Sequence, residues 1–288
     1  MKSRQQIFSA DSNALDLRRV FSSMIEGMRG SHYVAYRLVL RDVRSEYAKS
    51  ALGIFWDFAD PLVLGLVFYA LRQSNVINPG EMTMPYSIFI IYGLLLYLTF
   101  SDSVLLSTNM MVRSKGIRAT HRIPPEAMIQ SVFFRVLFNF SFRLAAMLIF
   151  SIVLYSSAKE QGLSTFSPGG YAAFLALSPM LMLAGMSIGT ILAPLQAIYN
   201  DVARVVRLIL VPLRFVSPVM WIMPATGNLA YINLVNPVGP LIDGLRSLAT
   251  HGTLDHPEEI LIRCTLFAAL FVLGWFIFHV TVPVLADK

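Results

Sequence analysis

Hydrophobic positions along this chain gather into six long runs, roughly 51–71, 86–108, 129–156, 171–193, 205–223 and 260–284, separated by shorter polar stretches. A helical pass through the hydrocarbon core of a bilayer takes about 20 mainly apolar residues, so each run is long enough to cross. Ahead of them, residues 32–50 follow another pattern. Tyr33, Tyr36, Leu40, Val43 and Tyr47 recur at helical spacing while Arg37, Arg41 and Arg44 gather on a different face. This predicts an amphipathic helix along the membrane surface, its aromatic residues in the headgroup layer and its basic face toward anionic lipid or an acidic cytoplasmic partner. In the long connection 224–259, Leu241, Ile242, Leu245 and Leu248 keep helical spacing after Pro240, in a stretch too short to span. It reads as a re-entrant or interfacial helix, an outer lid or gate, or else as a plain surface loop. The expected fold is all-α and integral to the membrane: six transmembrane helices, an N-terminal interface helix and re-entrant external helices.

Composition agrees with that pattern. The 288 residues are 56% hydrophobic and only 14% charged, with a mean hydropathy of +0.62, whereas soluble domains carry about 25% charged residues. Little remains for a second, soluble domain. The expected division is a flexible cytoplasmic leader at 1–31, a transmembrane domain at 32–284 and a cytoplasmic stub at 285–288. The leader has no apolar core of the kind a cleavable signal peptide needs. The net charge of +6 would suggest nucleic acid in a soluble protein, but in a membrane protein the placement of the charges decides more. Of the 23 Lys and Arg residues, fifteen fall on the side of the N-terminus and three on the other. Both termini are therefore expected in the cytoplasm, in a multi-pass protein. Cys264 is the single cysteine, so an intramolecular disulfide and a cysteine-based metal site are both excluded.

Several charges lie inside the runs, where a carboxylate or guanidinium costs about 2.5–3.5 kcal/mol on insertion scales. They are Asp57, Asp60, Asp102, Arg135 and Arg143. Two readings stand for the arginines: pairing across helices with Asp57, Asp60 or Asp102, or facing a pathway to attract an acidic substrate. The first run also brings Phe55, Trp56, Phe58, Phe68 and Tyr69. Aromatic faces bind the C–H faces of sugar rings without fixing one registry, which suits a glycan sliding through a channel. Ordinary packing and interface anchoring are the alternative.

Between the second and third runs, 109–126 carries Arg113, Lys115, Arg118 and Arg122 among Met110, Met111, Val112 and Ile117. An exposed loop with an apolar side invites a partner, and Pro124 and Pro125 are placed to start the next helix. No G-x-x-x-x-G-K-[ST] occurs, so any ATP energy must come from another polypeptide. No H-E-x-x-H occurs either. His251, Asp255 and His256 form the one external polar group that a membrane glycosyl- or acyltransferase could use.

The run from Leu40 to Trp56, containing Arg41-Asp42, Arg44, Glu46-Tyr47, Ser50, Leu52-Gly53 and Trp56, then Asp60-Pro61-Leu62, resembles the entry to the membrane subunit of ABC-2 type exporters. The pattern there is R-D-x-x-x-R-Y-x-x-S-x-L-G-x-x-W followed by P-L. Glu46 stands where a basic residue is usual. Tyr199-Asn200-Asp201-Val202, Ser217-Pro218-Val219 and Asn236-Pro237 with Arg246 downstream extend the resemblance in order, with Asn200 in place of the usual Arg. The O-antigen and capsule export branch is the nearest likeness, over about 32–284.

The resemblance implies a permease in the bacterial inner membrane, paired as a homodimer with two copies of an ABC ATPase, exporting a lipid-linked polysaccharide. It implies no cofactor in this chain, with ATP and Mg on the partner subunit, and leaves room for further envelope export proteins. Nucleic acid is not an expected partner. By carry-over, the ATPase-coupling interface comprises Arg37, Arg41, Arg44, Arg113, Lys115, Arg118, Arg122, Asn200, Asp201 and Arg204. The channel runs between protomers along the first and fifth spans, adding Phe215 and Trp221 to its lining. Asn236, Pro237, Pro240, Asp243 and Arg246 belong to the outer gate. A permease of the same superfamily moving a lipid or small hydrophobic compound is the alternative.

Overall fold

The computed structural model describes residues 17–48, 82–118, 123–222, 236–254 and 256–286, with the single positions 55, 56, 59, 63, 66, 67, 70, 71 and 74. Asp57, Phe58, Asp60, Phe68, Tyr69, Arg122 and Asp255 lie outside the described residues. The elements are α1 (Leu17–Gly30), α2 (His32–Tyr47), α3 (Tyr86–Arg113), α4 (Lys115–Arg118), α5 (Pro125–Val153), α6 (Tyr155–Glu160), α7 (Pro168–Ile198), α8 (Val202–Val216), α9 (Gly239–His251) and α10 (Pro257–Ala286). No strand occurs among the described residues.

Among the described residues, four helices are long and apolar enough to cross a membrane: α3 with its α4 extension, α5, α7 and α10. At 28 to 31 residues each they reach about 42–46 Å at 1.5 Å per residue, more than the hydrocarbon core. The chain is thus an all-α protein with multiple membrane-crossing helices. α3 is apolar nearly all round and buried nearly all round, which makes it the centre of the bundle. It packs most extensively on α7, which in turn carries α10. The α3–α7 approach is close because Gly185 and Gly189 face Ser103 and Ser107: a Cβ at either glycine would sit 2.5 Å from the serine Cβ opposite. Small residues at such crossings let helix backbones meet. This register makes α3 and α7 parallel, while Tyr92–Ser151 and Asp102–Arg143 contacts make α5 antiparallel to both. α10 keeps most of its apolar surface outward, as a helix facing lipid does.

Three expected segments take a different form. The run 205–223 is a 15-residue helix, Val202–Val216, followed by a break. Ser217 is extended (φ −82°, ψ 155°) because the following Pro218 disfavours helical conformation in the residue before it. α9 is no surface loop: Leu241, Ile242, Leu245 and Leu248 are all buried among α3, α7 and α10. The leader, expected to be flexible, is helical over Leu17–Gly30, with Met24 fully buried beneath it. Pro125 does start α5.

Candidate functional site

Two groups of charged residues lie at opposite ends of α3, about 36 Å apart from Phe89 to Arg113 along the helix.

At the C-terminal end of α3, the amphipathic helix α2 crosses the bundle. Its basic positions split by role. Arg37 and Arg44 are exposed, whereas Arg41 turns inward, its Nε 2.8 Å from Asp42 Oδ1. Asp42 also receives Arg113 of α3 at 3.1 Å, so helix α2 and the end of α3 share one carboxylate. One turn further on, Glu46 pairs with Arg135 of α5, whose guanidinium also lies 5.5 Å from the Phe138 ring. Arg135 is therefore held by the interface helix, while Asp57 and Asp60, two of its expected partners, lie outside the described residues. Arg143 follows the across-helix expectation, paired with Asp102 of α3 and hydrogen-bonded to Thr99 Oγ1 at 3.2 Å. Both arginines are buried.

Beyond Arg113, Ser114 ends α3, its hydroxyl donating to Met110 O at 2.7 Å, and the four-residue α4 presents Lys115 outward with Arg118 half-buried. Because α7 runs parallel to α3, the turn between α7 and α8 comes to this same end. It holds Asn200, whose carbonyl accepts from Gln196, and the exposed Asp201–Arg204 pair at 2.8 Å. Gln196 Oε1 also accepts from Ala203 N at 2.6 Å, which fixes the start of α8.

The same end contains a group that sequence reasoning did not find. Glu126, fully buried in the first turn of α5, accepts from Trp275 Nε1 at 3.3 Å and meets His279 Nδ1 at 2.5 Å, both on α10. His279 Nε2 lies 3.2 Å from Ser23 Oγ of α1. The acid at a helix start was legible; its partners 149 and 153 residues away were not.

At the other end, the separated motif residues converge. Asn236 Nδ2 donates to Ser217 Oγ at 2.9 Å, and Asn236 Oδ1 accepts from the backbone N–H groups of Val238 and Gly239, both at 3.1 Å, starting α9. Pro237 follows Asn236 in that turn, and Pro240 stands in the first turn of α9. Arg246, 1% exposed, donates to Pro218 O at 2.9 Å, pairs with Asp243 and lies 3.5 Å over the Phe89 ring. One buried guanidinium thereby ties α9, the break after α8 and the start of α3. α9 ends at Gly252, left-handed at φ 79°, whose N–H reaches back to Leu248 O at 3.0 Å.

The aromatic positions expected to line a channel divide. Phe55, Trp56 and Phe215 are more than half exposed on the single chain. Trp221 is half-buried, its Nε1 donating to Phe215 O at 2.8 Å. At the Arg246 end of the bundle, His251 is engaged by Thr250 Oγ1 at 2.8 Å, and no group of three or more metal-ligating side chains occurs among the described residues.

The likenesses to known proteins follow this architecture. An O-antigen export system permease protein of Klebsiella pneumoniae is 23% identical over 241 residues, covering 83% of this chain and 88% of that protein. One from Myxococcus xanthus is 23% identical over 215 residues, 73% of this chain and 76% of that protein. The chain is a relative of polysaccharide-export permeases. A polysialic acid transport protein of Escherichia coli is 20% identical over 189 residues, 64% of this chain and 68% of that protein. No family model matches the chain. These relatives are named as export permease and transport proteins, so the chain is read as a transporter rather than an enzyme.

Proposed function

We propose that this chain is the permease subunit of an ATP-driven exporter that moves a lipid-linked polysaccharide, of capsule or O-antigen type, across the bacterial inner membrane. The observation that carries the reading is the likeness to O-antigen and polysialic acid export permeases over most of the chain, on a bundle with four membrane-crossing helices. Two copies form the channel, with the first and fifth spans between them. The exposure of Phe55, Trp56 and Phe215 on the single chain supports this, since a surface shared by two copies is bare on one.

Six crossings, with α8 and its continuation as the fifth, put both termini in the cytoplasm. The basic residues Arg37, Arg44, Arg113, Lys115, Arg118 and Arg204, together at one end of the bundle, support that orientation. At that end a separate ATPase binds α4 and the Asn200–Arg204 turn. ATP-driven closure moves α4, and the Asp42 and Glu46 pairs pass the movement to α2 and α5. At the outer end α9 is re-entrant, a gate element whose angle the Arg246 hub sets. Many weak aromatic contacts, and no single tight site, let a polymer advance.

The test is ATPase activity of this chain co-purified with the ATPase encoded beside it, with and without lipid-linked glycans. Glycan-stimulated turnover is expected. Absence of any associated ATPase overturns the reading.

A further inference from the structure

Helix α1 divides into three sectors at about 100° per residue. Val20, Met24 and Gly27 face the bundle; Met24 is fully buried, and a Cβ on Gly27 would come within 2.7 Å of Glu126 Oε2. Ser23, at the edge of this sector, meets His279 as described above. α1 is thus seated on α5 and α10 through a polar latch and a close approach.

The next sector holds Leu17, Phe21 and Ile25, one turn apart and 55%, 41% and 49% exposed. An apolar stripe of this kind is not left to water. The Phe21 ring stacks on Phe276 of α10 at 6.0 Å. The stripe therefore continues into the outward surface of α10, where Leu273, Val280 and Val284 are exposed. Since α10 crosses the membrane, its last turns place α1 at the depth where hydrocarbon gives way to headgroups. Beyond the far edge of the stripe come Arg18 and Arg29, both exposed, whose long side chains can reach headgroups while the stripe is immersed.

We infer that α1 is a membrane-surface helix that inserts its Leu17–Phe21–Ile25 stripe into the headgroup–acyl boundary of an anionic bilayer, with Arg18 and Arg29 held by lipid anions. The occupant is the bilayer because the stripe is continuous with a lipid-facing helix and is flanked by positive charge. A second copy of this chain would bring the same arginines against one another. Through Ser23, His279 and Glu126, lipid binding by α1 bears on the start of α5, so the anionic lipid content of the membrane tunes the end of the bundle that carries Arg113. This goes beyond the export reading and stands whether or not a polysaccharide is moved.

The test uses the full chain with Cys264→Ser and a nitroxide at Ile25→Cys, reconstituted in vesicles of phosphatidylcholine alone or with about 30 mol % phosphatidylglycerol. With the anionic lipid, the label is expected to be shielded from an aqueous nickel chelate, while a label at Glu26→Cys is not. Replacing both arginines (R18Q with R29Q) should shift the immersed-to-free ratio by roughly 10- to 30-fold, at about five-fold per charge. Salt near 1 M should give the same loss with the arginines intact. A label at position 25 as accessible as that at 26 overturns the inference. Shielding that ignores lipid charge, salt and both arginines also overturns it, and dipolar coupling between two labels would then assign the stripe to a second copy.

Discussion

Glu46 of the interface helix holds Arg135 of α5, a side chain 4% exposed, across 89 residues of sequence. Glu46 itself is half in solvent, so the pair is an anchor at a wet edge and not a buried bridge. A residue that departs from the exporter pattern thus joins Asp42 in fixing the interface helix to the bundle. Removing its charge takes one carboxylate from a buried guanidinium, which costs about 1–2 kcal/mol once the exposure of Glu46 is allowed for. Glu46→Gln should lower the melting temperature modestly, Glu46→Arg should lower it more, and the exchange of Glu46→Arg with Arg135→Glu should recover most of the loss. Thermal unfolding in detergent reads all three.

Arg143 and Asp102 pair deeper in the bundle, at 8% and 29% side-chain exposure. Truncating one member strands the other, and the cost is about 3 kcal/mol. Replacing both by leucine removes the need for either charge and should cost less than Arg143→Leu alone. If the double variant is instead the least stable, the pair contributes net stability and the expectation of desolvation-dominated energetics is wrong. A double-mutant cycle on unfolding midpoints separates the two.

Much of this was legible in the sequence. Runs of apolar residues announced α3, α5, α7 and α10, and across-helix pairing with Asp57, Asp60 or Asp102 was one of two readings open for Arg143. The end of the fifth run was not legible, because hydropathy counts Pro218 to Trp221 as apolar and does not see that Pro218 turns Ser217 out of the helix. Leu241, Ile242, Leu245 and Leu248 signalled a helix, but nothing local said whether its partner was water or α3 and α7. The order of Ser217, Asn236 and Arg246 hinted at a common role; only the folded chain shows that they meet around one guanidinium. Glu126 with His279 could not be found, since each looks ordinary in its own helix.

The α3–α7 crossing has no room for side chains at two positions. A Cβ on Gly185 would lie 2.6 Å from Phe100 O as well as against Ser103. Gly185→Leu or Gly189→Leu must push the two central helices apart and should each cost about 1–3 kcal/mol. Gly169, with nothing within 4 Å of its Cβ position, is the control on the same helix, and Gly169→Ala should leave the melting temperature unchanged.

The loop after α3 separates two roles that its charge alone had merged. Arg113 is committed to Asp42 at 3.1 Å, while Lys115 on α4 is exposed. Arg113→Glu therefore sets two acids face to face and should lower thermal stability together with any partner binding. Lys115→Glu changes only the surface presented, so it should lower the amount of ATPase recovered with the protein while leaving stability within about 0.5 kcal/mol of the parent. Quantified co-purification beside thermal unfolding checks both variants. Equal ATPase recovery with Lys115→Glu would remove α4 from the docking surface and leave the Asn200–Arg204 turn as the remaining contact at that end.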